Sequence, residues 1–261
     1  MIKILAIGNS FSQDATTYLY NIAKADNIDL KVVNLYIGGC SLETHCRNLE
    51  NDSAFYDYEL NGQSTGKKIS ILEALKEEAW DYVTLQQVSN DSGIINSYYP
   101  YIIKLSNYIK QYAPQSEQLL HQTWAYEIDS THSAFSNYKN NQELMYQAIV
   151  ETYQKVGNDL SVKIIPCGEV IQILRTRPEF DYGNGGLSLC RDGFHMSLVY
   201  GRYAVAATWY EFILRRRILD NSFVPPAIDG LTAGATEIKL IKAAVDQILS
   251  CKLDCDANSN K

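Results

Sequence analysis

The chain has 261 residues, 46% hydrophobic and 20% charged, enough to bury one sizeable core and ordinary for a globular protein. Its formal net charge of -7 argues against a nucleic-acid partner, because no face dense in Lys and Arg exists to displace counterions. No apolar stretch approaches the ~20 residues that span a bilayer, so no membrane partner is expected.

The N-terminus has no signal-peptide pattern. As it stands the chain is expected to be cytoplasmic, or periplasmic or secreted if a leader was removed. The six cysteines (40, 46, 167, 190, 251 and 255) lack C-x-x-C spacing and read as free thiols. Cys251 and Cys255 could share a helical face, but two lone cysteines are a weak metal signal; no metal and no cofactor is expected.

In chain order, the first strand is predicted over Ile2–Ile7 and breaks at "GNS", residues 8 to 10. A helix is predicted over 14–26, with Tyr18, Leu19, Ile22 and Ala23 at helical spacing. Strand Leu30–Ile37 follows and ends in Gly38-Gly39. Residues 48–67 are polar, rich in Asn, Ser and Gly, and read as an insertion or long loop. A helix over 68–79 leads to strand Tyr82–Gln87, which ends in a Gln pair followed by "SND".

A helix over 98–112, strand Gln118–Gln122, helix 140–157 and strand Val162–Ile165 come next. Helices over 168–176, 197–214 and 235–250 complete the pattern, with "RRR" at 215–217 suiting the carboxyl end of a helix dipole. The tail "DANSNK" is expected to be disordered.

The strands are nearly continuous in apolar or β-branched residues, as strands covered on both faces should be. Strand–helix alternation therefore implies an α/β fold: a three-layer α/β/α sandwich around a mainly parallel sheet of about five strands. Residues 1–220 read as its body, and 221–261 as a C-terminal extension with one helix packed on the same domain.

Chemistry is expected beyond the carboxyl ends of the strands. Ser10 falls there, just before a helix whose amino end can stabilise an anion. Its alternative role, or that of Ser12, is to cap that helix. A serine nucleophile needs a base, and of the four histidines only His195 has an Asp three residues before it, in "RDGFHMS". Asp192 on such a turn can orient the imidazole and stabilise its protonated form. Gly38-Gly39 and Gln86 or Gln87 stand at the same rim and could supply oxyanion donors. Trp124 and Tyr126, in "QTWAYE", are either core residues or a stacking platform for a sugar ring, and His132 in the following loop is a candidate substrate contact.

"GNS" after the first strand, a glycine after the second, an amide donor after the third and "DGFH" near the end resemble the four blocks of the SGNH (GDSL-type) hydrolases. "ILAIGNSFSQDA", "LYIGGCSLE", "WDYVTLQQVSNDSG", "QTWAY" and "RDGFHMSLVYGRYAVAATWYE" resemble more closely the DUF4886 family, over roughly residues 1–217. The resemblance implies the flavodoxin-like SGNH fold and a Ser-His-Asp site. It assigns Ser10 as nucleophile and backbone oxyanion donor, Gly39 (with Gly38 as fallback) as second donor, His195 as base and Asp192 as its orienting acid. The chain departs from the superfamily pattern at Asn9, where many relatives have Asp, and in the third block, which lacks Gly-x-Asn at strand end. Gln87 is taken as the side-chain donor, with Asn90 the alternative. The implied activity is a serine esterase acting on small acyl esters, above all acetyl, on a carbohydrate. A lipid or aryl esterase and a non-catalytic carbohydrate-binding protein are the competing readings.

Overall fold

The computed structural model describes residues 1–259, with side chains through Cys251. Its elements are β1 (Ile2–Gly8), α1 (Ser10–Thr16), α2 (Leu19–Ala25), β2 (Leu30–Tyr36), α3 (Leu42–Glu50), β3 (Tyr56–Leu60), β4 (Gln63–Ile69) and α4 (Ile71–Glu77). They continue with β5 (Tyr82–Leu85), α5 (Tyr101–Tyr112), β6 (Glu117–His121), α6 (Gln142–Leu160), β7 (Lys163–Ile165), α7 (Cys167–Leu174), α8 (Tyr200–Leu214) and α9 (Ala235–Ser259).

The strands form one sheet in the order β4-β3-β2-β1-β5-β6-β7, flanked by helices. β1 is central and pairs in parallel with both β2 and β5; β5–β6 and β6–β7 are also parallel. That is why Ile4, Leu5, Ala6 and Ile7 form an unbroken apolar run: all four are buried, with no polar face to present. The chain reverses direction across the sheet at β1, between β2 and β5. Loops leaving β1, β2 and β5 therefore converge at one topological switch point.

The sheet has seven strands among the described residues rather than the expected five. The two extra strands come from the segment read as a loop over 48–67. β3 and β4 are an antiparallel hairpin added to the β2 edge. Its two-residue turn is Asn61-Gly62, with φ of 52° and 79°, as a type I′ turn demands. "YDYEL" alternates ahead of that Asn-Gly, so a hairpin signal was present beneath the polar composition. Gly62 is required by space as well as by φ, since a Cβ there would lie 2.3 Å from the Thr17 carbonyl oxygen.

The expected helix over 14–26 is two helices, and the first begins at Ser10. α3 was not anticipated at all. Ser41 caps it by accepting from Thr44 N–H, and Ser70 with Glu73 forms a capping box that starts α4. α8 is buried nearly all round because it packs against α1, α2, α7 and α9. The expected disorder from 256 onward falls on the end of α9 and on residues 260–261, which lie outside the described residues.

A buried polar chain fixes α1 to the sheet. The Ser12 hydroxyl donates to Asn34 Oδ1 (2.7 Å), and Asn34 Nδ2 donates to Glu59 Oε2 (2.7 Å) on the hairpin. None of its side-chain oxygen or nitrogen atoms is left without a partner, the condition under which buried polar groups rigidify rather than destabilise.

Candidate active site

Asn9 ends the turn after β1 and is the N-cap of α1, its side chain accepting from Phe11 N–H at 3.0 Å. The cap is thus neither Ser10 nor Ser12. Ser10 is the first helical residue, and its hydroxyl is left for other chemistry. Asn9 also accepts from Gln86 Nε2 (2.6 Å) and donates from Nδ2 to the Cys40 carbonyl (3.0 Å). It therefore ties together the chain leaving β1, β2 and β5. An Asp at this position has no donor for Cys40, so the amide suits the loop it holds.

His195 Nε2 lies 2.8 Å from Ser10 Oγ, and His195 Nδ1 lies 2.7 Å from Asp192 Oδ2. A carboxylate can only accept, so Nδ1 carries the hydrogen and the Nε2 lone pair faces the serine hydroxyl. Asp192 Oδ1 accepts the backbone N–H of His195 at 2.8 Å and of Phe194 at 3.3 Å. Burial pushes the Asp192 carboxyl upward. The hydrogen bonds from His195 and Phe194, with the imidazole's charge, outweigh it and hold the group below its ordinary value.

Ser10 and His195 face a cleft of about 200 Å³ lined also by Asn9, Tyr36, Gly38, Gly39, Val88, Ser89, Asn90, His132 and Phe194, with Asp192 behind the imidazole and outside that lining. Gly39 has φ of +64°, and nothing lies within 4 Å of where its Cβ would be. The N–H groups of Ser10 and Gly39 find no acceptor among the described residues. The Ser10 N–H is also a first-turn amide without an intrahelical partner.

Three expected site residues lie elsewhere. Gln87 is buried and does not line the cleft. Its Oε1 accepts from Leu42 N–H and Val88 N–H, and its Nε2 donates to Ser97 O and Ser97 Oγ, so the amide is spent on joining two loops. The rim amide is instead Asn90, one residue into the short turn Ser89–Asp91. One of its hydrogens goes to Asp91 Oδ1, leaving the other available.

Trp124 is fully buried; its Nε1 donates to the Phe194 carbonyl at 2.7 Å and its ring meets Phe11 edge-on at 4.1 Å. Tyr126 is fully buried too, its hydroxyl paired with Ser89 Oγ at 2.9 Å. Both support the wall of the cleft from behind and cannot serve as a stacking platform. His132 does line the cleft. Tyr36, Val88, Ser89 and Phe194 were missed: Ser89 opens "SND" and Phe194 lies within "DGFH", but their residue types alone do not mark them as facing a cleft. Among the described residues no group of three or more His, Cys, Asp or Glu is disposed to hold a metal ion.

A profile of the family DUF4886, a domain of unknown function, matches residues 3–244. A crystal structure of a DUF4886 family protein from Bacteroides uniformis ATCC 8492 superimposes with a TM-score of 0.86 at 38% identity, covering 95% of this chain and 94% of that one. A protein from Slackia heliotrinireducens, provisionally described as an SGNH hydrolase, matches with a TM-score of 0.56 at 19% identity, over 81% of this chain and 98% of its own. An acetyl xylan esterase, AlAXEase, gives 0.57 at 16% identity, over 81% and 100%. At such identities the last two show a shared fold alone. The sequence matches none of the curated proteins.

Proposed function

The chain belongs to the DUF4886 family, and on that premise we propose that it is an SGNH-type serine esterase that removes small acyl groups, above all acetyl, from carbohydrate esters. The observation that carries the reading is the hydrogen-bonded line Ser10 Oγ, His195 Nε2 and Nδ1, Asp192 Oδ2, with links of 2.8 and 2.7 Å, opening on a cleft.

In the proposed reaction Ser10 Oγ attacks the ester carbonyl carbon while its proton passes to His195 Nε2. The carbonyl oxygen becomes an oxyanion, held by the N–H groups of Ser10 and Gly39 and by the free amide hydrogen of Asn90. Collapse breaks the bond to the alcohol, and the proton on His195 goes to the departing alkoxide. Water then enters, gives a proton to His195, and attacks the acyl-serine; the acid leaves and Ser10 regains its proton. Asp192 keeps the imidazole in the required tautomer throughout.

Acyl size follows from the cleft. About 200 Å³ lies below the ~300–1,000 Å³ usual for drug-sized ligands, so a short acyl group is favoured over a fatty one. A larger apolar groove of about 570 Å³, lined by Leu219, Val224 and Ile238, contains none of the proposed catalytic residues. The lipid-esterase alternative needs such a groove at the serine.

A panel of p-nitrophenyl esters from acetate to palmitate, with acetylated sugars alongside, tests the proposal. Acetate should be turned over fastest and palmitate barely, and Ser10→Ala should abolish both. Equal turnover of long and short chains would sink the small-acyl reading; no hydrolysis of any ester would sink the esterase itself.

A further inference from the structure

We propose that Phe194 and His132 together form the subsite for the alcohol half of the ester, a sugar ring whose hydroxyl beside the ester accepts a hydrogen bond from His132 Nε2. This rests on the proposed esterase reading, and deepens it by naming the residues that would recognise the sugar.

The placement follows from the chemistry of the leaving group. The group that protonates the departing oxygen is His195 Nε2, so the alcohol must leave on the imidazole's side of the cleft. The His195 ring is followed there by the Phe194 ring, 4.1 Å away between centroids, and then by His132, 5.0 Å from Phe194 and steeply inclined to it at 75°. All three line the same cleft. Tyr36, Gly38 and Val88 are left to bound the acyl side.

His132 is held in one orientation and one tautomer. Its Nδ1 accepts the Ala134 backbone N–H at 3.2 Å, capping the short helix Ser133–Tyr138. A backbone N–H can only donate, so in the neutral ring the hydrogen must sit on Nε2. That Nε2 finds no acceptor among the described residues. The ring packs against Tyr126 and Phe194, each 5.0 Å away between centroids, and those two rings lie 5.6 Å from each other. An oriented donor beside a half-buried aromatic face is what a pyranose requires: its C–H face lies on the ring and a hydroxyl meets the donor. An aryl or alkyl alcohol would use the ring and leave the donor unpaired, which a site built around a hydrogen bond penalises.

This pairing is tested by a cycle between protein and ligand. In a Ser10→Ala background, so that nothing is hydrolysed, binding of a mono-acetylated methyl glucoside is measured by titration calorimetry. The same is done for its analogue with the neighbouring hydroxyl replaced by hydrogen. His132→Ala should weaken the first at least tenfold. It should leave the deoxy analogue, already weakened, little changed, while His132→Gln restores part of the lost affinity through its amide hydrogen. In the Ser10-containing enzyme the ratio of kcat/KM for the sugar ester to that for p-nitrophenyl acetate should fall at least tenfold in His132→Ala.

Equal losses on the two esters, or equal losses on the two glycosides, would overturn the subsite. Should the Ser10-containing enzyme hydrolyse neither ester, the esterase reading fails, yet the binding cycle still decides whether His132 reads a sugar hydroxyl.

Discussion

Asp14 Oδ2 accepts the backbone N–H of Met196 at 2.9 Å, from a carboxylate with no exposure to solvent. Asp14 lies on α1, the helix that begins with Ser10, and Met196 follows His195. The same carboxylate accepts from Arg191 Nη1 (3.0 Å) and Arg202 Nε (2.7 Å). Arg191 precedes Asp192 and also bonds the Met196 carbonyl, so one buried anion grips both ends of the turn that carries the proposed acid and base.

Replacing Asp14 with Asn should therefore strip two guanidinium groups of their anion. Loss of one partner from a fully buried pair costs about 3–5 kcal/mol. Both arginines are partly solvated, so a loss of roughly 2–3 kcal/mol is expected in urea unfolding. Esterase activity should also fall in the fraction that remains folded. A variant as stable and active as the parent would mean the turn is held by other contacts.

Ser10→Ala and His195→Ala should each lower kcat by on the order of 10⁴ or more, and the double variant by little more, because they act as one unit. Asp192→Ala should cost less than either, since His195 can still accept a proton. A fluorophosphonate probe should label Ser10 alone, which peptide mapping by mass spectrometry would check. Additive losses in the double variant would argue that the two residues do not act together.

The two rim amides should separate cleanly. Asn90→Ala should reduce kcat by roughly 10²–10³ with a small effect on KM, as removal of one oxyanion donor does. Gln87→Ala should leave Leu42 N–H and Val88 N–H without their acceptor and cost stability, about 1–3 kcal/mol. Its kcat in the folded fraction should stay within a few-fold. The reverse pattern in steady-state kinetics and denaturant titrations would return the oxyanion role to Gln87.

Burial lowers both His45 and His121 to about 3, since the charged imidazole cannot be solvated where they sit. Unfolded, they titrate near the reference value of about 6.5. Between those values the unfolded chain binds more protons than the native one, so stability must fall as pH drops from about 6.5 towards 3. Each histidine contributes a slope of ~1.4 kcal/mol per pH unit where only the unfolded form is protonated. His121→Gln should remove one such contribution, as read from urea unfolding at a series of pH values. Asp192, held below its ordinary value, stays ionised through most of this range, so its own protonation should not set the acid limb of activity. Stability unchanged between pH 6.5 and 4.5 would contradict the neutral burial of the two histidines.

Features of the site that depend on neighbours along the chain were legible in the sequence. The unbroken apolar run from Ile4 to Ile7 announced a strand covered on both faces. Ser10 after Gly8-Asn9 announced a hydroxyl at a strand's carboxyl end, and Asp192 three residues before His195 announced an oriented imidazole. Even the hairpin at β3 and β4 was written locally, in the alternation of "YDYEL" and the Asn61-Gly62 turn, though the polar composition masked it. Tertiary packing alone decided which rim residues face the cleft. Gln87 and Asn90 are both amides just beyond β5, and Gln87 is consumed by its neighbour Val88, by Ser97 ten residues on and by Leu42 at the start of α3, 45 residues away in sequence. Trp124 and Tyr126 carry the same aromatic signal as Phe194, yet two are sealed behind the wall and one is on it. A side chain's hydrogen-bonding capacity is a property of its type, whereas what remains of that capacity for a substrate is set by chain segments brought to it from far away in sequence.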